Sequence, residues 1–259
     1  MKLVDRATQT FSYGRFSESR LSGKVVLEPW FTPEGRRRLA ETPYAEPFYR
    51  MAHHFQPQSG PVLCGVASAV IVLNALSLPG DAAPEQPTLA IQIPDNQGSI
   101  AFKTYAQSTF LEGPTEAIKR RRVVEYLEKH DDGEYRPGLG LSDLGKLIEC
   151  RGAKAPTVFA GESNVEAFRS LVMDSGKRGS PLLILHFRAD VMGGIPRGHI
   201  SPVGAYHPGT DSVLVMDVAT HKGPWYWAPV PDLFEAMRET YDTQPKGGGW
   251  AAVTYTRSG

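Results

Sequence analysis

Cys64-Gly65-Val66-Ala67-Ser68-Ala69-Val70-Ile71-Val72-Leu73-Asn74-Ala75-Leu76 is apolar on every side and has the length of a buried central helix. The run Val70-Ile71-Val72 would suit a strand, but the small residues Gly65, Ala67, Ser68 and Ala69, with the length, favour helix. The preceding Gln56-Pro57-Gln58-Ser59-Gly60-Pro61 must be a loop, because its prolines and glycine cannot continue a helix. Cys64 therefore falls on the first turn of a helix that emerges from a tight loop. Unsatisfied backbone N–H groups and the helix macrodipole stabilise a thiolate at such a position. Cysteines placed there beside an imidazolium have pKa values lowered from ~8.5 to roughly 3.5–7.5. Taken alone, Cys64 is equally well an inert buried thiol. Its company decides between the two.

Working outward, a helical pattern starts at Glu46, with Phe48, Met51, Ala52 and Phe55 on one face. Residues 1–45 are rich in turn formers and carry Phe11, Tyr13, Phe16, Trp30 and Phe31, which reads as an N-terminal arm packed on the body. Residues 79–113 contain Pro79, Gly80, Pro84, Pro87, Pro94 and Gly98 and hold no sustained period, so an irregular insertion is expected. Helices are predicted at about 115–130, 142–151 and 163–174, the last opened by the capping box Ser163-Asn164-Val165-Glu166. Strands follow at Pro181–Phe187, Ile200–Tyr206 and Ser212–Val218, the latter two joined by His207-Pro208-Gly209-Thr210-Asp211. A helix at Asp232–Tyr241 and a strand at Trp250–Thr256 close the chain. Helices first and an antiparallel sheet second is an α+β arrangement. Papain-like enzymes, in which a cysteine opens the central helix of one lobe and His and Asp come from the sheet of the other, are similar to this layout.

Gln58 stands six residues before Cys64 on the incoming loop, where a side-chain amide can join the Cys64 backbone N–H in an oxyanion hole. Among the histidines, His53 and His54 lie on the helix before that loop, His130 in an acidic stretch and His207 in a turn. His186 sits inside an apolar strand, the usual place of a satisfied core histidine. His199 starts a strand directly after Gly198, and Asp217 ends the next strand of the same hairpin. The turn near 207–211 folds Asp217 back toward His199, where it can fix the imidazole's tautomer and orientation.

Composition narrows the alternatives. The chain of 259 residues balances 28 basic against 28 acidic side chains, which argues against nucleic acid as a partner. Two cysteines, Cys64 and Cys150, make neither a disulfide framework nor a zinc motif, so no metal ligands are expected. No apolar stretch follows Met1–Arg6 and no run is long enough to span a bilayer, so a cytoplasmic chain without a membrane partner is expected.

Phe55–Ser68, continuing through Leu73-Asn74-Ala75-Leu76, resembles the nucleophile segment of phytochelatin synthases. Gly198-His199-Ile200-Ser201-Pro202-Val203-Gly204-Ala205-Tyr206 is similar to their histidine motif, and Val213-Leu214-Val215-Met216-Asp217-Val218-Ala219 to their aspartate motif. The resemblance implies a papain-like fold and a single catalytic domain over 1–259. It implies removal of glycine from glutathione through a γ-glutamylcysteinyl thioester, which then passes to a second glutathione or to water. Cys64 would be the nucleophile, His199 the base and then acid, Asp217 its orienter and Gln58 the oxyanion donor. No tightly bound cofactor is implied; cadmium or zinc would enter as glutathione–thiolate complexes, and a homodimer is left open. The family pattern has Arg where Thr220 stands and keeps Lys222, and it has an Arg near the stretch Lys246-Gly247-Gly248-Gly249-Trp250. Substrate carboxylates are then expected to fall to Lys222, Arg197 or Lys246, beside the backbone of Gly198. The alternatives are a papain-like peptidase or amidase acting on another small γ-glutamyl or peptide substrate, and a catalytically silent thiol or metal-binding module.

Overall fold

The computed structural model describes residues 25–76, 88–93, 98–113, 138–192, 198–240 and 246–255. The helix expected at 115–130 and the candidate Arg197 lie outside the described residues.

Within 1–45, the described residues 25–45 hold a strand and a helix that pack on the main sheet. Strand β1 (Glu28–Pro29) pairs with a strand far along the chain, and helix α1 (Pro33–Glu41) follows it. Thr32 caps that helix, its Oγ1 accepting from the Gly35 N–H at 2.9 Å, and Pro33 fills its first position. Helix α2 (Glu46–Ala52) leads into the loop before α3 (Cys64–Leu76). Every residue of α3 from Gly65 to Leu76 is buried, so apolar contact on all sides outweighs the β preference of Val70-Ile71-Val72.

The described parts of 79–113, residues 88–93 and 98–113, are less irregular than the sequence suggests. Strands β2 (Thr88–Gln92) and β3 (Ser99–Lys103) form an antiparallel ladder of their own, Ala90 opposite Ala101. The ladder stands apart from the main sheet and exposes Ile91 and Ile100, so it has no buried face to impose alternation on the sequence.

Helix α4 (Leu141–Glu149), strand β4 (Thr157–Phe159) and helix α5 (Val165–Arg178) precede the strand-rich part. Asn164 caps α5 through its Oδ1, which accepts from Ala167 N–H at 2.9 Å. Strands β5 (Leu182–Arg188), β6 (Gly198–His207), β7 (Ser212–Val215), β8 (Tyr226–Pro229) and β9 (Gly249–Val253), with helix α6 (Val230–Arg238), complete the elements. The main sheet runs β1-β8-β7-β6-β5-β9-β4, antiparallel at each pairing. This agrees with the α+β expectation.

Alternation along β5 divides the core in two. Leu182 and Ile184 pack with α3 and α4, while Leu183, Leu185 and Phe187 pack with α5 and α6. Helix α3 is held against β6 by Ser68, whose Oγ donates within range of both the Cys64 carbonyl (2.8 Å) and the Ile200 carbonyl (3.2 Å). Gly65 permits that approach: a Cβ there would lie 3.0 Å from Leu139 Cδ1 and 3.1 Å from Ile200 Cδ1. One helix terminus is thereby fixed beside the start of one strand.

Candidate active site

Cys64 begins α3, and the hydrogen bond from Ala67 N–H to Leu63 O (2.8 Å) shows the helix already wound at that point. His199 is the second residue of β6 and is 5% exposed. Its Nε2 lies 2.7 Å from Asp217 Oδ1, and Ser201 Oγ is 3.1 Å from the same nitrogen. The register explains the meeting. Val203 pairs with Val215, and Met216 N–H donates to Pro202 O at 2.9 Å, so the chain continues past β7 with Asp217 alongside the beginning of β6.

With Nε2 given to Asp217, Nδ1 is the ring nitrogen left for Cys64, close enough for thiol and imidazole to shift each other's titration. Burial by itself would raise the Cys64 pKa. The His199 hydrogen bond and charge, with backbone N–H contacts from Ile200 and Gly65, overcome it and hold the thiol below its ordinary value. Burial would likewise lower His199, but the Asp217 charge and hydrogen bond, followed by those of Cys64, push it up to about 10. Asp217 is held low against burial by His199, by the Ala219 N–H that donates to Oδ1 at 2.7 Å, and by the Lys222 charge. The group can therefore carry a thiolate–imidazolium pair, a nucleophile with its own proton donor.

Residues 21–250 match the phytochelatin synthase family. The chain belongs to this family. It is 29% identical over 209 residues to glutathione gamma-glutamylcysteinyltransferase 1 of Lotus japonicus, covering 81% of this chain and 36% of that protein. The Arabidopsis thaliana protein of the same name is 27% identical over 210 residues (81% of this chain, 37% of the other). The Schizosaccharomyces pombe glutathione gamma-glutamylcysteinyltransferase is 22% identical over 204 residues (78% and 42%). The chain thus spans well under half the length of these relatives.

Gln58 reaches the site through its backbone, its N–H donating to Val218 O at 2.9 Å. Its side-chain amide gives one hydrogen to Gly60 O at 2.7 Å, and its buried Oε1 has no hydrogen-bond partner among the described residues. Gly198 opens β6 opposite Arg188, next to His199. Lys222 is exposed on the turn after Asp217, close enough for its charge to act on that carboxylate. Lys246 is otherwise engaged: its Nζ pairs with Glu162 at 3.2 Å and stands 5.2 Å from the Phe159 ring centroid.

Two neighbours of the site carry no sequence motif of their own. Ser201 Oγ, fully buried, accepts from Val218 N–H at 3.4 Å and so bridges the His199 and Asp217 segments. Tyr226 lies opposite Val215 in the β7–β8 ladder, on the face that alternation also gives Asp217. Burial, and the Asp217 carboxylate that accepts its hydroxyl, push the Tyr226 phenol well above its ordinary value. The β7–β8 register is what finds Tyr226, and one chain position cannot supply it. His186 is buried beside the site, and burial together with the His199 charge brings it down to about 4, which keeps it neutral. Among the described residues, no group of three or more His, Cys, Asp or Glu side chains is placed to hold a metal ion. None of their helices is long and apolar enough to cross a membrane.

Proposed function

We propose that this chain is a papain-like acyltransferase acting on glutathione, with residues 1–259 as one catalytic domain. The observation that carries the reading is the buried His199–Asp217 pair at 2.7 Å, with the Cys64 thiol at the start of α3 acting on the same imidazole. Family membership supplies the substrate class.

The Cys64 thiolate attacks the carbonyl carbon of the cysteinyl–glycine amide. The tetrahedral oxyanion takes hydrogen bonds from the Cys64 N–H and the Gln58 amide. As the C–N bond breaks, imidazolium His199 gives its proton to the departing glycine nitrogen, leaving a γ-glutamylcysteinyl thioester on Cys64. Neutral His199 then accepts a proton from the amino group of a second glutathione, or from water, as that nucleophile attacks. Products are the extended peptide or γ-glutamylcysteine, and Cys64 leaves as thiolate beside imidazolium again. Asp217 keeps the imidazole oriented and its charge compensated throughout.

Lys222, Gly198 and Arg197 are assigned to the substrate's carboxylates. Cadmium or zinc enters as part of a glutathione–thiolate substrate. A second reading, a peptidase or amidase with another small γ-glutamyl or peptide substrate, draws support from the ion pair that commits Lys246 to Glu162.

Mass spectrometry after incubation with glutathione, with and without Cd²⁺, tests both against a Cys64→Ser control. Cys64-dependent glycine release is expected. Dominant oligomer assigns a transferase, and dominant γ-glutamylcysteine a hydrolase. No release under any condition removes glutathione as the substrate.

A further inference from the structure

The segment from Thr104 to Glu112, part of the stretch whose sequence showed no period, is held at three points, one of them the loop before Cys64. Asn74, on the last turn of α3, grips the Tyr105 backbone from both sides: Nδ2 donates to Tyr105 O at 3.0 Å, and Oδ1 accepts from Tyr105 N–H at 2.9 Å. Arg151, just past α4, donates to the carbonyls of Thr109 (3.3 Å), Phe110 (2.5 Å) and Glu112 (2.9 Å). Between these anchors stands Gln107. Its Oε1 accepts from Ser59 N–H at 2.9 Å, and its Nε2 donates to Gln56 Oε1 and Pro57 O, both at 2.9 Å.

An amide side chain has one acceptor group and two donor hydrogens. Gln107 directs these onto the residues that flank Gln58 on each side. The loop has no regular structure of its own, so these bonds and the one to Val218 O fix its path. We propose that Gln107 is the positioning residue of the oxyanion donor. It locks Gln56–Ser59 in register with α3, and so sets where the Gln58 amide points relative to Cys64. The inference rests on Gln58 donating to the oxyanion, and it gives the 104–112 segment a part in acyl transfer. Displacing a donor from a developing oxyanion by about 1 Å costs on the order of 10²-fold in rate.

Gln107→Ala and Gln107→Glu test it beside Gln58→Ala and the double variant Gln58→Ala/Gln107→Ala. Glutamate keeps the acceptor for Ser59 and loses both donors, which sets a carboxylate against Gln56 Oε1 and Pro57 O. Expected are a fall in kcat of roughly 10- to 100-fold for both Gln107 variants, with KM for glutathione within about threefold. The double variant should be no slower than Gln58→Ala, and the pH profile of Cys64 alkylation by iodoacetamide should stay that of the parent, because the thiolate pair is untouched. Hydrogen exchange should show residues 56–60 losing protection in Gln107→Ala while α3 keeps it. Unaltered kcat or unaltered protection in Gln107→Ala, with Gln58→Ala impaired, overturns the positioning role alone. A normal Gln58→Ala overturns the oxyanion assignment and this inference with it. If the parent releases no glycine from glutathione, the substrate assignment fails separately, and the exchange experiment still decides whether the clamp holds the loop.

Discussion

The backbone N–H of Gln58 donates to the carbonyl of Val218 at 2.9 Å, joining the loop before Cys64 to the residue immediately after Asp217. Two segments far apart in sequence are thereby fixed at the same end of the sheet. The side-chain amide of Gln58, with one hydrogen on Gly60 O, keeps a second for an oxyanion. Gln58→Ala is expected to slow acylation by ~10²–10³ while leaving the alkylation rate of Cys64 unchanged. Single-turnover release of glycine measures the first and iodoacetamide labelling the second. Unimpaired acylation would remove Gln58 from the site.

The thiolate–imidazolium pair has a pH signature. Cys64 lies below its ordinary 9.0, and His199 is raised from an ordinary 6.5 to about 10. Iodoacetamide should therefore modify Cys64 faster than the exposed Cys150 near neutral pH, despite the better access to Cys150. Equal sluggishness of the two thiols would count heavily against the pair.

Asp217→Asn removes the charge that holds His199 protonated. The basic limb of kcat/KM, expected near 10 in the parent, should move down toward the ordinary histidine value of 6.5, with a rate loss of about 10²–10⁴-fold. Stability follows the same sign. His199 is raised, so its stabilising contribution is full below 6.5 and is lost as pH rises through about 10. Asp217 is depressed, so its contribution is present above the ordinary carboxylate value and is lost on acidification below it. Thermal unfolding of parent and Asp217→Asn should accordingly differ most between these limits. A basic limb that stays near 10 in the variant would show that His199 owes its proton to something else.

Tyr226→Phe takes one O–H donor from a buried carboxylate. The carboxylate then holds the imidazole less firmly, and kcat should fall by about 10-fold, the scale of one hydrogen bond to a charged group. In the Asp217→Asn background the same change should cost little more. Additive losses in that double-mutant cycle would mean that Tyr226 acts by packing alone.

The glycines that lead into β9 are a packing device. A Cβ on Gly248 would stand 1.9 Å from the His186 carbonyl oxygen, and one on Gly249 would stand 2.0 Å from that of Val158. Gly248→Ala should destabilise the fold by about 2–3 kcal/mol, since rigid backbone has to move aside. Denaturant unfolding checks this, and an unchanged midpoint would show that β9 adjusts freely.

Much of this fold can be read along the chain. The uniformly apolar run after Cys64, the Ser163–Glu166 cap and the strands around the 207–211 turn all come from local composition and period, and the elements stand within a few residues of the expected ends. Asp211 shows why that turn works: its φ of 44° is the left-handed conformation that aspartate tolerates. Helix α1 also left a local sign, Thr32-Pro33-Glu34, which the surrounding turn formers obscured. Strands β2 and β3 left none, because each is short, lies on an exposed ladder and is flanked by prolines or glycine.

Sequence by itself determined the chemistry available: a cysteine at a helix start after a Gln-bearing loop, and a His and an Asp on the two arms of one hairpin. Those are properties of neighbouring residues, set by backbone period and turn geometry. Tertiary structure alone decided how that chemistry is held. Tyr226 meets Asp217 only through the β7–β8 register, Ser68 meets Ile200 only where α3 crosses β6, and Gln107 reaches the loop only because Asn74 and Arg151 fix its segment. Each of these is a hydrogen bond between residues distant in sequence, whose direction depends on how whole elements pack, and no local period records that.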